Sequence, residues 1–326
     1  MSTRIGIVGY GNLGRGVEHA IDQNPDMELV AVFTRRDPGQ LSLVHSGVPV
    51  YSVDSVADHR GSIDVMVLCG GSKGDLPEQG PELAALFNTV DSFDTHAEIP
   101  NYFAALNAAS GANGHLALIS TGWDPGLFSL SRVIGESVIP SGSTHSFWGK
   151  GVSQGHSAAL RKVEGVAGAI QYTVPSQEAI DAARAGQALG QSAADMHLRE
   201  CYVVLEEGAD AARVEHDIVT MPHYFDEYKT VVNFISAEEL AANHAGLPHG
   251  GFVVRSGTSA AGDDLMLEFS LKLDSNPAFT ACVMVACARA VHRLSERGEA
   301  GARTIFDIPP ALLSPKSAEE LRAQLL

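Results

Sequence analysis

The chain has 326 residues, 45% of them hydrophobic, enough for two domains and a large core in an ordinary globular protein. Its formal net charge of −17 argues against a nucleic-acid partner and suits solubility. No apolar run reaches the ~18 residues of a membrane span and no cleavable leader opens the sequence, so the expected location is the cytoplasm.

From the amino terminus, an apolar strand pattern over residues 4–8 runs into Gly9, Tyr10, Gly11, Asn12, Leu13 and Gly14, and a helical pattern follows. This spacing predicts a dinucleotide-binding turn. Gly9 allows the tight bend, Gly11 lets backbone amides approach a pyrophosphate, and Gly14 lets helix and strand pack closely. The helix amino terminus then offers its positive dipole end to the phosphates.

The next strand, over 27–33, ends in Thr34, Arg35 and Arg36, with no acid to hold a ribose 2′-hydroxyl. Two guanidiniums suit a 2′-phosphate, which points to NADP rather than NAD. The alternative is a pair of solvated surface arginines.

Strands over 64–69, 88–91 and 115–120 alternate with helices over 81–87 and 99–110, the rhythm of a doubly wound parallel sheet. Ligands of such sheets sit beyond the carboxyl ends of the strands. Three segments leave those ends: Cys69 with Gly70, Gly71, Ser72 and Lys73; Asp91, Ser92, Phe93 and Asp94; and Thr121, Gly122, Trp123, Asp124, Pro125 and Gly126. They are expected to converge near the nicotinamide.

Beyond residue 125 the rhythm changes. After a helix over 126–137 come strand patterns over 144–148, 169–173, 201–205, 229–235, 251–255 and 265–270, an α+β arrangement with a mixed or antiparallel sheet. A long apolar helix over 279–294 is expected to be buried. The reading is a dinucleotide-binding domain over 1–120, a substrate-binding and dimerisation domain over 121–294, and a tail over 295–326 packed back on the first. Cys69, Cys201, Cys282 and Cys287 form no Cys-x-x-Cys pair and read as buried thiols of a reducing compartment. The thirteen histidines lack ligand spacing, so no metal is expected.

The glycine turn at 9–14, Val-Asp-Ser-Phe-Asp at 90–94, Ser-Thr-Gly-Trp-Asp-Pro-Gly at 120–126, Phe-Trp-Gly-Lys-Gly-Val-Ser-Gln-Gly-His-Ser at 147–157 and Leu-Pro-His-Gly-Gly at 247–251 resemble the meso-diaminopimelate D-dehydrogenases. The likeness runs from Arg4 to Ser314, with departures at Gly70, Gly71, Lys73 and Gly74. It implies an α/β Rossmann-like domain joined to an α+β domain. It also implies an NADP-dependent homodimer that reversibly deaminates the D-centre of meso-2,6-diaminopimelate to L-2-amino-6-oxopimelate and ammonium, in lysine and cell-wall precursor synthesis.

A substrate with two ammonium and two carboxylate groups needs anchors of both signs. The resemblance places Asp94 and Asp124 at the reacting D-amino group, walled by Trp123 and Trp148. Gln154 and Gly155 lie in a glycine-interrupted loop whose amides suit the D-centre carboxylate. The resemblance places Thr173, Arg199, His249 and Asn276 around the L-centre. Taken singly, each residue has a plain alternative. Asp124 before Pro125, and Asn276 before Pro277, are also helix-cap patterns. The base is left open between Asp94 and Asp124. Competing readings are an NADP-linked oxidoreductase acting on other D-amino acids or a sugar, and a non-catalytic NADP sensor.

Overall fold

A computed structural model describes residues 2–45, 47–187, 190, 192–222 and 224–326. Contacts divide the chain into two compact units, Met1–Leu130 with Pro277–Leu326, and Ser131–Asn276. The sequence reading set its divisions at 120/121 and 294/295 instead.

In the first unit, β1 (Thr3–Val8) leads through the glycine turn to α1 (Asn12–Asp22) and β2 (Met27–Thr34). There follow β3 (Val50–Ser52), β4 (Val65–Leu68), α2 (Leu76–Ala84), β5 (Thr89–Asp91), α3 (Ile99–Ala112), β6 (Leu116–Leu118) and α4 (Leu127–Val138), which spans the 130/131 division. The second unit holds β7 (Gly142–Trp148), β8 (Gly151–Val152), α5 (Gln154–Leu160), β9 (Val166–Pro175), α6 (Gln177–Arg184) and α7 (Ala193–Met196). It continues with β10 (His197–Leu205), α8 (Ala211–Val219), β11 (Lys229–Phe234), α9 (Ala237–Asn243), β12 (His249–Thr258) and β13 (Asp264–Leu273). The chain ends with α10 (Asn276–Ser295), β14 (Gly301–Arg303), α11 (Pro310–Leu313) and α12 (Ala318–Leu325).

The first unit is a seven-stranded sheet in the order β14-β6-β5-β4-β1-β2-β3, with every neighbour parallel. Its strands are apolar on successive residues because both faces are covered. Ile5, Ile7, Val65 and Val67 join one core with Val17 of α1 and Met284 and Val291 of α10. Val8, Met66 and Leu68 join the opposite core with Leu83 of α2 and Leu106 of α3. Each fully buried side chain of this kind contributes about 1.5–3 kcal/mol. The register sets Val8 against Phe33 and Leu68, and Leu68 against Asp91. Gly9, Thr34, Cys69 and Ser92 therefore leave the sheet along one edge.

The helix expected over 81–87 lies earlier, at Leu76–Ala84. Pro77 rather than Pro81 occupies the first turn, where the missing N–H has no partner to lose. Pro81 is tolerated inside at the loss of one backbone bond. Gly80 belongs where it is, since a Cβ there would stand 2.3 Å from the Tyr102 hydroxyl. The long helix α10 is apolar as expected but carries one buried charge. Arg289 pairs with Asp26 at 2.6 and 2.8 Å, and this contact holds the Asp26 carboxyl below its ordinary pKa.

The second unit contains two sheets where the sequence suggested one. The first, β11-β10-β9-β8, is mixed, with β10 and β11 parallel; the second, β13-β12-β7, is antiparallel. Between β7 and β8 the chain passes from one sheet to the other at Gly149, whose φ of +116° suits glycine. A Cβ there would lie 2.1 Å from the Thr173 carbonyl oxygen.

Candidate active site

The glycine turn has the geometry its spacing predicts. Gly9 has φ +90° and its amide donates to the Phe33 carbonyl at 2.9 Å. Gly11 has nothing within 4 Å of where a Cβ would stand, so its backbone is open to approach. Gly14 is pressed so closely on the strand end that a Cβ would meet the Gly9 oxygen at 2.3 Å. Asn12 and Leu13 open α1, whose first-turn amides have no intrahelical acceptors. A cleft of about 330 Å³ at this edge is lined by the turn, by Thr34, Arg35 and Arg36, and by Cys69 and Gly70.

Both arginines are held at this cleft. Arg36 donates through Nη2 to the Tyr10 carbonyl at 2.5 Å, and its amide donates to Thr34 Oγ1 at 3.1 Å. Arg35 pairs with Asp75 at 2.7 Å, and Asp75 also accepts from the Gly71 amide at 2.8 Å. The Tyr10 hydroxyl donates to Glu18, a carboxylate only 1% exposed, and burial raises the Tyr10 pKa to about 12. Glu18 in turn accepts from the Val44 and His45 amides, tying the loop after β2 to the turn.

Farther along the same edge, loops from β4, β5 and β6 meet. Asp94 is exposed, and its amide donates to Ser72 Oγ at 3.0 Å. Trp123 is buried at 7% exposure, its ring edge-to-face with Phe128 at 5.2 Å. Gly126 has φ +132°, and a Cβ there would strike the Gly122 oxygen at 1.9 Å, so the bend through Pro125 is specific to glycine. The helix α4 begins only at Leu127, so Asp124 lies ahead of its first turn. The helix-cap alternative for Asp124 is thereby corrected.

The side chains of Asp91 and Phe93 are both engaged inside the protein. The Asp91 carboxylate is fully buried and accepts from the Phe93 and Ser120 amides, each at 3.0 Å, and from the Tyr102 hydroxyl at 2.8 Å. The Phe93 ring stacks on Tyr102 at 4.1 Å, inside the core. Thr121 donates through its amide and its hydroxyl to the Asp91 carbonyl, both at 2.8 Å.

In the second unit, register places Thr173 of β9 directly opposite Arg199 of β10. Arg199 is 8% exposed and donates through Nη1 to Thr173 Oγ1 at 2.6 Å. Its guanidinium carbon sits 3.8 Å from the centroid of the Tyr228 ring, a cation–π contact. Its Nε has no hydrogen-bond partner, and burial presses its pKa below the ordinary value. No ion pair among the described residues involves it.

Trp148 ends β7, and its amide donates to His197 Nε2 at 2.9 Å. That bond leaves the His197 proton on Nδ1, which faces the Ala193 carbonyl at 2.9 Å; burial lowers this histidine's pKa. The imidazole lies against the indole at 5.2 Å. His249 opens β12, half-buried, its Nδ1 accepting from the Gly250 amide at 2.8 Å. Gln154 and Gly155 are in no loop. They form the first turn of α5, with Ser153 as N-cap accepting from the His156 amide. Asn276 is the first residue of α10, its amide donating to the Leu247 carbonyl at 3.1 Å, so the capping position falls before it.

Residues 122–275 match the diaminopimelic acid dehydrogenase C-terminal domain, and residues 1–74 match the CoA binding domain. A meso-diaminopimelate D-dehydrogenase of Lysinibacillus sphaericus is 63% identical over 323 residues, 99% of each chain. The chain belongs to the meso-diaminopimelate D-dehydrogenase family. A Q154L/T173I/R199M/P248S/H249N/N276S variant of meso-dapdh from Clostridium tetani, crystallised with DAP, is 53% identical with a TM-score of 0.93 over the whole of both chains. This chain carries Gln154, Thr173, Arg199, Pro248, His249 and Asn276 at those six numbers. An engineered D-amino acid dehydrogenase bound to NADP+ is 43% identical with a TM-score of 0.87, again over the whole of both chains.

Sequence reasoning missed Asp75, Gln79 and Val53 in the nucleotide cleft of this family member. Asp75 carried one signal, its place just ahead of a proline-started helix. Among the described residues no cluster of metal-ligating side chains occurs, and no helix is long and apolar enough to cross a membrane.

Burial pushes the Asp91 carboxyl up to about 6, against three donors that pull it down. A carboxyl raised above its unfolded value favours the folded state when protonated, so stability falls as pH rises from about 4 to about 6. The fall is on the order of 2–3 kcal/mol. Denaturant midpoints measured across this window are expected to show it in the parent and to lose it in Asp91→Asn. An equal slope in both proteins would remove Asp91 as the cause.

Proposed function

We propose that this chain catalyses the NADP-dependent, reversible oxidative deamination of the D-centre of meso-2,6-diaminopimelate, giving L-2-amino-6-oxopimelate and ammonium. Arg199 carries the proposal: a buried guanidinium with an unused donor, fixed between Thr173 and Tyr228, calls for an anion. Family membership supplies the substrate, whose L-centre carboxylate is that anion. Thr173, His249 and Asn276 add polar groups for the same centre. Lysine synthesis is the role of the family, and we assign this chain to it and to cell-wall precursor synthesis.

The bound dinucleotide supplies the hydride acceptor. The glycine turn and the α1 amides hold its pyrophosphate, and Arg35 and Arg36 take the 2′-phosphate. Asp94 and Asp124 receive the reacting ammonium, and one of them accepts the proton the amine must lose. Trp123 and Trp148 wall the reacting centre, and the Gln154 and Gly155 amides take the D-centre carboxylate. Four unpaired thiols suit the reducing cytoplasm.

The unit Ser131–Asn276 also presents an apolar face. Val133, Ile134 and Val138 of α4 are exposed, as are Leu265, Met266 and Leu267 on the edge strand β13. Such a patch marks an association surface, and we assign it to the homodimer. Sedimentation equilibrium is expected to give a dimer for the parent and monomer for Met266→Glu with Ile134→Glu. A dimer in both would place the interface elsewhere.

Reduction of NADP+ followed by absorbance tests the reaction. Turnover is expected with meso-diaminopimelate and not with the L,L isomer; activity on sugars alone, or on neither isomer, would refute it. A site built to bond polar groups rejects analogues that leave them unpaired. Arg199→Met is accordingly expected to raise KM for meso-diaminopimelate and shrink its kcat/KM advantage over D-alanine at least tenfold. An unmoved ratio would show that Arg199 does not read the distal carboxylate. Arg36→Ala is expected to weaken NADP+ binding by about 1.5–3 kcal/mol while NAD+ binding hardly changes. Equal loss for both would return Arg36 to its bond with Tyr10 alone.

A further inference from the structure

Two residues proposed to meet the reacting ammonium stand on separate loops: Asp94 after β5 and Asp124 after β6. The second loop is closed on itself by the Trp123–Gly126 bridge, which does not tie it to the first. One side chain joins them. Asp91 Oδ1 accepts from the amide of Phe93, one residue before Asp94, and from the amide of Ser120, in the loop that leads to Asp124. The Asp91 carbonyl binds that same second loop at Thr121, through amide and hydroxyl. Asp91 Oδ2 accepts from Tyr102 of α3, whose ring stacks on Phe93. The carboxylate is fully buried.

Ser120 shows the bracket under load. Its φ is +56°, a left-handed conformation that a side chain disfavours, and its hydroxyl is buried without a hydrogen-bond partner. Residues persist in such conformations where their surroundings over-determine them. Here the amide must turn toward Asp91 and the next residue must reach the Asp91 carbonyl. On the other side, Ser72 Oγ receives the Asp94 amide, so that loop is held at two consecutive positions.

We infer that Asp91 is a positioning residue for the deamination, its buried carboxylate setting the two acid-bearing loops in register with each other. The inference rests on the proposed reaction, and it also makes a claim about the protein without substrate. A displacement of about 1 Å at a reacting centre can lower a rate by two orders of magnitude. Asp91→Ala removes all three side-chain bonds. Asp91→Asn keeps one oxygen for both amides, and its Nδ2 donates to the Tyr102 oxygen. Tyr102→Phe keeps the stack on Phe93 and deletes the third bond.

The test measures kcat and KM for meso-diaminopimelate, the Kd for NADPH, and amide hydrogen exchange in the free protein. Asp91→Ala is expected to lose about 100-fold in kcat, with KM and Kd within about fivefold. Asp91→Asn should regain kcat to within about tenfold of the parent, and Tyr102→Phe should lose about three- to tenfold. In Asp91→Ala, exchange should quicken over 92–95 and 119–124 and stay unchanged over α1. Should the alanine variant not fold, the asparagine and phenylalanine variants carry the same comparison. The inference is overturned if kcat of a folded Asp91→Ala stays within threefold of the parent. It is equally overturned if alanine and asparagine are alike, or if exchange quickens evenly across the sheet. A parent with no activity on meso-diaminopimelate would refute the proposed reaction, while the exchange pattern would still decide whether Asp91 holds the loops.

Discussion

The contact on which the first unit depends is the one between Gly14 and the end of β1. With a Cβ only 2.3 Å from the Gly9 oxygen, any other residue would push α1 off the sheet. The close approach lets α1 start at the strand edge, directly after Gly9, Tyr10 and Gly11, which line the nucleotide cleft. Parallel register then does the rest: because Val8, Phe33, Leu68 and Asp91 stand in one row, four loops emerge together. The site in this unit follows from a packing distance and a register. Little of it depends on the apolar identities that fill the two cores.

In the second unit the corresponding constraint is electrostatic. Burying an ion away from water is expensive unless it is paired, and a guanidinium in particular cannot shed its charge to avoid the penalty. Arg199 is nevertheless buried, with a hydroxyl and an aromatic face as neighbours and a donor left unused. Antiparallel register fixes Thr173 opposite it, so the fork is oriented before any ligand arrives. A fold carries such a deficit where binding repays it, and the proposed dicarboxylate substrate is the group assigned to do so. Family membership identifies the same substrate independently.

Local chemistry was legible in the sequence. The glycine spacing, the absence of an acid after β2 and the arginine pair are contiguous signals, and the alternation of apolar runs gave the parallel sheet. Signals that depend on distant partners were not. Asp91 read as a strand-end residue near the cofactor, and its bracing role stayed hidden because two of its three donors lie 11 and 29 positions away. Asp75 entered the nucleotide cleft from another βα unit and took Arg35 as its partner. The first turn of α5 read as a loop because glycines dominate its approach, while the Ser153 cap that starts it is a single residue. Two sheets were read as one because the passage between them rests on Gly149, whose conformation no hydrophobic period reveals.

The central claim is that oxidation occurs at the D-centre of meso-diaminopimelate while the L-centre is only held. Deuterium placed on the α-carbon of one centre at a time separates these roles. With label at the D-centre, the reduced nicotinamide should carry deuterium and turnover should slow wherever hydride transfer limits the rate. With label at the L-centre, the reduced nicotinamide should carry none. Deuterium arriving from the L-centre would contradict the account, because Arg199 and Thr173 would then be holding the wrong end of the substrate.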